Sequence, residues 1–171
     1  MFKFRKMREE AAGPPLTVDG DERLTQVGRL LAASKLDELP QLWNVLRGEM
    51  SLVGPRPEDP ALASVAGDAF LPVLEIKPGV TGLTQLAFAR ESRMLDPLDA
   101  VGDYVTRLLP QKIALDRLYA ARHTLLLDLR ILLWTAFALA PGTDVVVDHV
   151  TGRPSVRRRP SVEAAEPRVG S

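Results

Sequence analysis

Leu36, Leu39, Leu42, Trp43 and Leu46 recur at the i, i+3, i+4, i+7 spacing of one helix face. A helix with a buried apolar stripe is therefore predicted over 36–46. Ser34 stands at its N-cap, Asp37 and Glu38 lie in its first turn, and Gly48 sits just past its end. Pro40 is tolerable early in such a helix, where a missing amide has no partner to lose. Leu24, Val27, Leu30 and Leu31 predict a second helix running from Asp21. Ahead of it, Phe2 and Phe4 alternate with Lys3 and Arg5, the period of a short strand. Downstream, a short helix is expected around Pro60 to Val65, with Pro57, Pro60 and Pro72 limiting its length.

The C-terminal half reads in longer segments. Pro78-Gly79 and Thr81-Gly82 are turn signals, either a hairpin-like turn or a loop whose glycines admit a ligand. Arg90 to Asp103 is polar, a loop with four solvated acids. Tyr104 to Ala140 is helical with a break near Leu109-Pro110. Its last stretch, TLLLDLRILLWTAFALA, is apolar on every side but interrupted by Asp128 and Arg130. Spanning a bilayer takes about 20 mostly uncharged residues, and a charge at mid-bilayer costs about 3 kcal/mol or more. This helix is therefore expected either in the core or flat on a membrane surface, with Trp134 as an interface anchor. After the Val-rich segment 145–147, residues 151–171 hold five arginines, two glutamates and few bulky apolar groups. They read as a disordered basic tail behind a single domain over 1–150.

Composition narrows the chemistry. At 171 residues and 46% hydrophobic, one domain with a true core is expected. Formal net charge is zero, so no overall field selects nucleic acid. With no cysteine there is no disulfide, thiolate nucleophile or Cys-based zinc site, and two histidines make a His-rich metal site a poor fit. Residues 1–15 lack the apolar run of a secretory leader.

The candidate chemistry lies in Asp37, Glu38 and Arg56. Read as structure alone, the two acids answer a helix dipole and Arg56 occupies a surface turn between prolines. Read as chemistry, a carboxylate in the positive field of a helix N-terminus stays ionised and can attack phosphorus or hold a metal. A second carboxylate and a fork-shaped guanidinium beside it suit a diphosphate with a divalent cation.

Three blocks carry a resemblance. LDELPQLWNVLRGEMSLVGPRP (36–57), KPGVTGLTQ (77–85) and LDRLYAARHTLLLDLRILLWT (115–135) resemble, in order, the signatures of bacterial sugar transferases, the monotopic polyprenyl-phosphate phosphoglycosyl transferases. The resemblance implies an α-rich α+β domain with membrane-surface helices and a short β element, at the cytoplasmic face of a bacterial inner membrane. It implies transfer of a phosphosugar from a UDP-sugar to undecaprenyl phosphate, starting exopolysaccharide or glycoconjugate assembly. Asp37 would be the nucleophile and a Mg²⁺ ligand, with Glu38 acting beside it. Arg56, Lys77, Gln85 and Lys3 would bind substrate and phosphate, and the chain could form a homo-oligomer. The family also implies a basic residue near Ala32 or Ala33, for which Arg29 or Lys35 stands nearby. A hydrophobic re-entrant helix and a strand-bearing segment would precede Lys3-Phe4-Arg5, so an N-terminally shortened member, peripheral on the membrane, is expected. The alternative is a catalytically silent paralogue serving as a membrane-surface or partner-binding module.

Overall fold

A computed structural model describes residues 1–9, 13, 16–18, 20–140 and 143–158. Short helices wrap two small sheets. The chain enters as an extended segment joined by a bridge between Met7 and Leu24 and continues into α1 (Gln26–Ser34), capped by the Thr25 hydroxyl accepting from the Gly28 amide. A 3₁₀ turn over Leu36–Glu38 and α2 (Gln41–Leu46) lead to β1 (Ser51–Val53). Then come α3 (Pro60–Ala66), α4 (Leu71–Leu74), β2 (Gly79–Thr81), α5 (Leu83–Ala87) and α6 (Ala100–Asp103). Helices α7 (Leu109–Arg122) and α8 (Leu125–Ala138) precede β3 (Thr143–Val147) and β4 (Pro154–Arg158).

The predicted helix over 36–46 is divided. Ser34 ends α1 instead of capping a new helix, and its hydroxyl donates back to the Leu30 and Leu31 carbonyls. Lys35 turns the chain in the left-handed region at φ 60°, so the acid pair falls in a 3₁₀ turn and α2 starts only after Pro40. The predicted buried stripe is turned outward. Leu36, Leu39, Leu42, Trp43 and Leu46 are exposed, whereas Asp37, Gln41 and Asn44 are buried. Polar partners decide this: Asn44 accepts from the Phe2 amide at 2.8 Å and donates to Glu49 at 2.6 Å. In α1, likewise, Val27 and Leu30 face outward, while the buried Leu24 precedes the helix. Phe2 to Arg5 forms no strand.

β1 and β2 pair in parallel, Ser51 with Gly79 and Val53 with Thr81. The Pro78-Gly79 signal therefore opens a strand and not a hairpin. The glycines bring backbones together: a Cβ on Gly79 would stand 2.1 Å from the Gly54 nitrogen, and one on Gly82 would stand 2.2 Å from the Gly54 oxygen. Around this pair the core gathers Val53, Phe70, Leu83, Leu86, Leu108, Leu115 and Ile131.

No break occurs at Pro110. A π-helical turn over Tyr104–Leu108 joins α6 to α7, so the run from Ala100 to Arg122 stays helical. The wider turn just before the proline accommodates a residue that cannot donate and whose ring crowds the preceding carbonyls. The acids of 91–103 are engaged rather than simply solvated: Asp99 caps α6, Asp103 pairs with Arg107 at 2.6 Å, and Glu91 reaches the buried Lys112 at 3.0 Å. α8 buries Ile131 and leaves Leu125, Leu126, Leu129, Leu133 and Phe137 outside, while Trp134 packs partly against the core. Among the described residues no helix is long and apolar enough to cross a membrane.

The basic tail is corrected over its first residues. Pro154–Arg158 is a strand, antiparallel to β3, with Val145 opposite Val156 and Val147 opposite Pro154. Asp148, in the turn, accepts from Thr151 and anchors the hairpin despite its arginine-rich composition. Residues 159–171 lie outside those described.

Candidate active site

Two backbone features build the site from opposite sides. The 3₁₀ turn presents Asp37 and Glu38, and the entering segment lies across it: the Phe4 amide donates to the Asp37 carbonyl at 3.0 Å. Further along, the Thr25 amide donates to the Lys6 carbonyl at 3.0 Å and the Arg8 amide to the Arg23 carbonyl at 2.9 Å. Gly28 makes this crossing feasible, since a Cβ there would sit 2.0 Å from the Lys6 oxygen. The segment is thus stitched to α1 at one end and to the acid turn at the other.

That stitching aims two lysines at one oxygen. Lys3 Nζ lies 3.2 Å and Lys6 Nζ 3.1 Å from Asp37 Oδ2. The Asp37 residue is 1% exposed. Burial by itself pushes its carboxyl up, but the Lys3 charge and the Lys6 hydrogen bond and charge outweigh this and hold it below its ordinary value. Asp37 is therefore ionised near neutral pH.

Arg56 closes the cluster. Its guanidinium lies 3.9 Å from Glu38 Oε1, to which Lys3 also donates at 3.4 Å. Burial opposes the Arg56 charge, but Glu38, then Glu91 and Glu58, hold it above its ordinary value. Lys35 lies within electrostatic reach of Glu38, Arg56 and Asp37, close to where the missing basic residue near Ala32 was expected. The acid pair, Lys3 and Arg56 are thus brought together in one cluster.

The turn carrying Arg56 is fixed from below. The Gly79 amide donates to Pro55 at 2.9 Å, the Gly54 amide to Thr81 at 2.9 Å, and the Arg56 amide to the Asp116 carboxylate. Asp116, 2% exposed, also accepts from Thr84 at 2.5 Å. Burial pushes its carboxyl up to about 7 despite that bond. Beside it, buried Lys112 contacts Glu58 at 2.8 Å, Glu91 at 3.0 Å and the Tyr104 hydroxyl at 2.7 Å. Tyr104 in turn donates to Glu58 at 2.7 Å. These four residues form a connected polar floor.

Two residues expected at the site stand elsewhere. Gln85 donates to the Gly79 carbonyl at 3.2 Å, and its Oε1 is buried against Gly82, so it braces the β2–α5 turn. Lys77 is exposed on a cleft of about 970 Å³ that Arg117, His123 and His149 also line. No contact joins Lys77 to Asp37 among the described residues. Conversely, Lys6, Asp116, Glu58 and Lys112 escaped the sequence reading. Lys6 gave a signal of sorts, a second basic residue three positions past Lys3, but the spacing of a coil has no period to interpret. The three buried polar groups sit among apolar neighbours with nothing to distinguish them from solvated charges.

A divalent cation can be matched to these donors. Lys3 and Lys6 engage Asp37 through Oδ2, Lys3 and Arg56 engage Glu38 through Oε1, and among the described residues no group of three or more metal-ligating side chains exists. Magnesium needs only one or two carboxylates when substrate phosphates supply the rest, so the pair fits a cation that arrives with a diphosphate.

Comparison with known proteins gives a consistent set of matches. A family profile described as bacterial sugar transferase matches residues 1–142. The chain is 39% identical over 144 residues to a UDP-glucose:undecaprenyl-phosphate glucose-1-phosphate transferase of Caulobacter vibrioides, covering 81% of this chain and 50% of that protein. It is 36% identical to an undecaprenyl-phosphate glucose phosphotransferase of Komagataeibacter xylinus, covering 79% and 25%. It is 35% identical to an exopolysaccharide production protein of Rhizobium leguminosarum, covering 79% and 67%. The chain thus spans about half the length of the first of these relatives and a quarter of the second.

Proposed function

We propose, from the premise that this chain belongs to the bacterial sugar transferase family, that it moves a phosphosugar from a UDP-sugar onto polyprenyl phosphate, such as undecaprenyl phosphate. The products are a polyprenyl diphosphosugar and UMP. One observation carries the reading: an ionised, buried Asp37 stands beside Glu38 with Lys3, Lys6 and Arg56 on the same cluster. Three cations around two carboxylates make a pocket for phosphate, and both lysines engage Asp37 through the same oxygen, Oδ2.

The mechanism is covalent and has two steps. Asp37 attacks the sugar-bearing phosphorus and displaces UMP, and the lipid phosphate then displaces Asp37. Lys3 and Arg56 position the phosphate oxygens, which supplies most of the catalysis in phosphoryl transfer. Glu38 keeps Arg56 and Lys3 in place. Asp37, with Glu38 beside it, would hold Mg²⁺, which supplies charge neutralisation to the diphosphate when bound. The polar floor under Arg56 keeps its turn from yielding. Lys77 and Gln85 act outside this cluster.

The exposed leucines of α8 and the Leu36–Leu46 face support association with a membrane surface, where the lipid acceptor resides. The test is UMP release by purified chain from UDP-sugars, with magnesium and polyprenyl phosphate in vesicles. Wild type should release UMP and Asp37→Asn should not. Equal release by both, or none by wild type, defeats the reading; the second result favours a silent membrane or partner-binding module.

A further inference from the structure

Lys6 adds its charge to the phosphate pocket, but neither step of the transfer as written above uses it. It nevertheless shares a single carboxylate oxygen with Lys3, at 3.1 and 3.2 Å, and its backbone is clamped to α1 by the Thr25 amide and the space Gly28 leaves. One ammonium would satisfy a buried carboxylate. Two on the same atom, with Arg56 beyond, leave an excess of positive charge facing a partly open site: the Lys3 and Lys6 side chains are 29% and 23% exposed.

We propose that Lys6 is, with Lys3, a phosphoryl clamp: the pair rests on Asp37 Oδ2 and passes to the phosphoryl oxygens when Asp37 becomes covalently bound. This rests on the nucleophilic role given to Asp37 above. In the first step a bond forms between Asp37 Oδ1 and the sugar-bearing phosphorus. The bond from that phosphorus to the bridging oxygen of UMP breaks, and its electron pair leaves on UMP. No proton moves. Asp37 then carries no charge of its own, while the attached phosphoryl group carries one negative charge on its outer oxygens. The negative charge near the ammoniums is thus conserved in amount and displaced outward by about one bond-and-contact length. Lys6, on a four-carbon stem with rotatable donors, follows it without backbone motion. In the second step the same donors return to Oδ2 as the carboxylate is released.

The clamp can be read without turnover. Asp37→Asn keeps the shape of the carboxyl but removes its charge, leaving Lys6 without its carboxylate and Lys3 paired with Glu38 alone. Isothermal titration with inorganic phosphate, in EDTA, should show the full-chain Asp37→Asn protein binding about tenfold more tightly than wild type. Adding Lys6→Met should abolish that gain, and adding Lys6→Arg should preserve most of it. Lys6→Gln, which keeps a polar chain, should also abolish it and serves if the Met variant does not fold. No gain in Asp37→Asn, or a gain that survives loss of the Lys6 charge, overturns the clamp. The transfer reading fails separately: wild type that releases no UMP while the phosphate gain is intact removes the reaction and leaves the anion site.

Discussion

Asp37 and Asp116 are both buried carboxyls, and their surroundings drive them in opposite directions. Lys3 and Lys6 overcome the effect of burial at Asp37, whereas Thr84, the Arg56 amide and Lys112 do not at Asp116, which is pushed up to about 7. The two therefore affect stability with opposite signs. Asp37 binds its proton less readily folded than unfolded, so it contributes stability that is lost as pH falls below its ordinary value of 3.8. Asp116 binds a proton more readily folded than unfolded. Between pH 3.8 and about 7 the folded chain holds the extra proton, and stability declines as pH rises through that window. Melting temperature should accordingly fall from pH 5 to pH 7.5 in wild type, and Asp116→Asn should flatten that part of the profile. A profile unchanged by Asp116→Asn would mean that the carboxyl is ionised throughout. Asp37, Glu38 and Arg56 were legible in the sequence because their motif places them within a few turns of one another. Asp116 was not, because its role depends on the Arg56 amide sixty residues away in sequence.

At the scale of elements, the parallel pairing of β1 and β2 depends on Gly54, against which both Gly79 and Gly82 pack. Gly79→Ala places a Cβ 2.1 Å from the Gly54 nitrogen, where backbone cannot move aside. It should cost about 3 kcal/mol in chemical denaturation and lower transfer with it, since β1 leads into the turn that carries Arg56 and the Gly79 amide holds that turn. An alanine tolerated with no loss would show that the strands part readily. α8 divides by face. Ile131→Ala should cost about 2–5 kcal/mol, while Leu133→Ala, on the exposed side, should change stability by less than about 0.5 kcal/mol. Periodicity found the helices here but assigned the wrong face to the segment 36–46, because spacing reports which residues share a stripe and not what covers it. The positions facing inward are polar, held by the Phe2 amide and by Lys3 and Lys6, a segment more than thirty residues earlier. The β3–β4 hairpin was hidden for a related reason: its second strand has a composition typical of solvated chain, and only pairing across the Asp148 turn orders it.

Taken whole, the molecule has no net charge yet exposes large leucines on α8 and along 36–46. That surface gives a prediction independent of catalysis. Leu129→Ser with Leu133→Ser should weaken co-sedimentation with phospholipid vesicles while melting temperature stays near wild type. Binding that is unaffected would remove the membrane assignment of this face. The entering segment is equally a property of the whole chain, since residues 2–8 tie α1, the acid turn and α2 into one unit. The central claim is that Asp37 becomes covalently bonded to the phosphosugar, and peptide mass spectrometry after an acid quench tests it most directly. Wild type incubated with UDP-sugar and magnesium but no lipid acceptor should carry the mass of a phosphosugar on the peptide containing Asp37, and Asp37→Asn should carry none. Release of UMP in lipid-containing reactions with no such adduct, or an adduct on another residue, would contradict it.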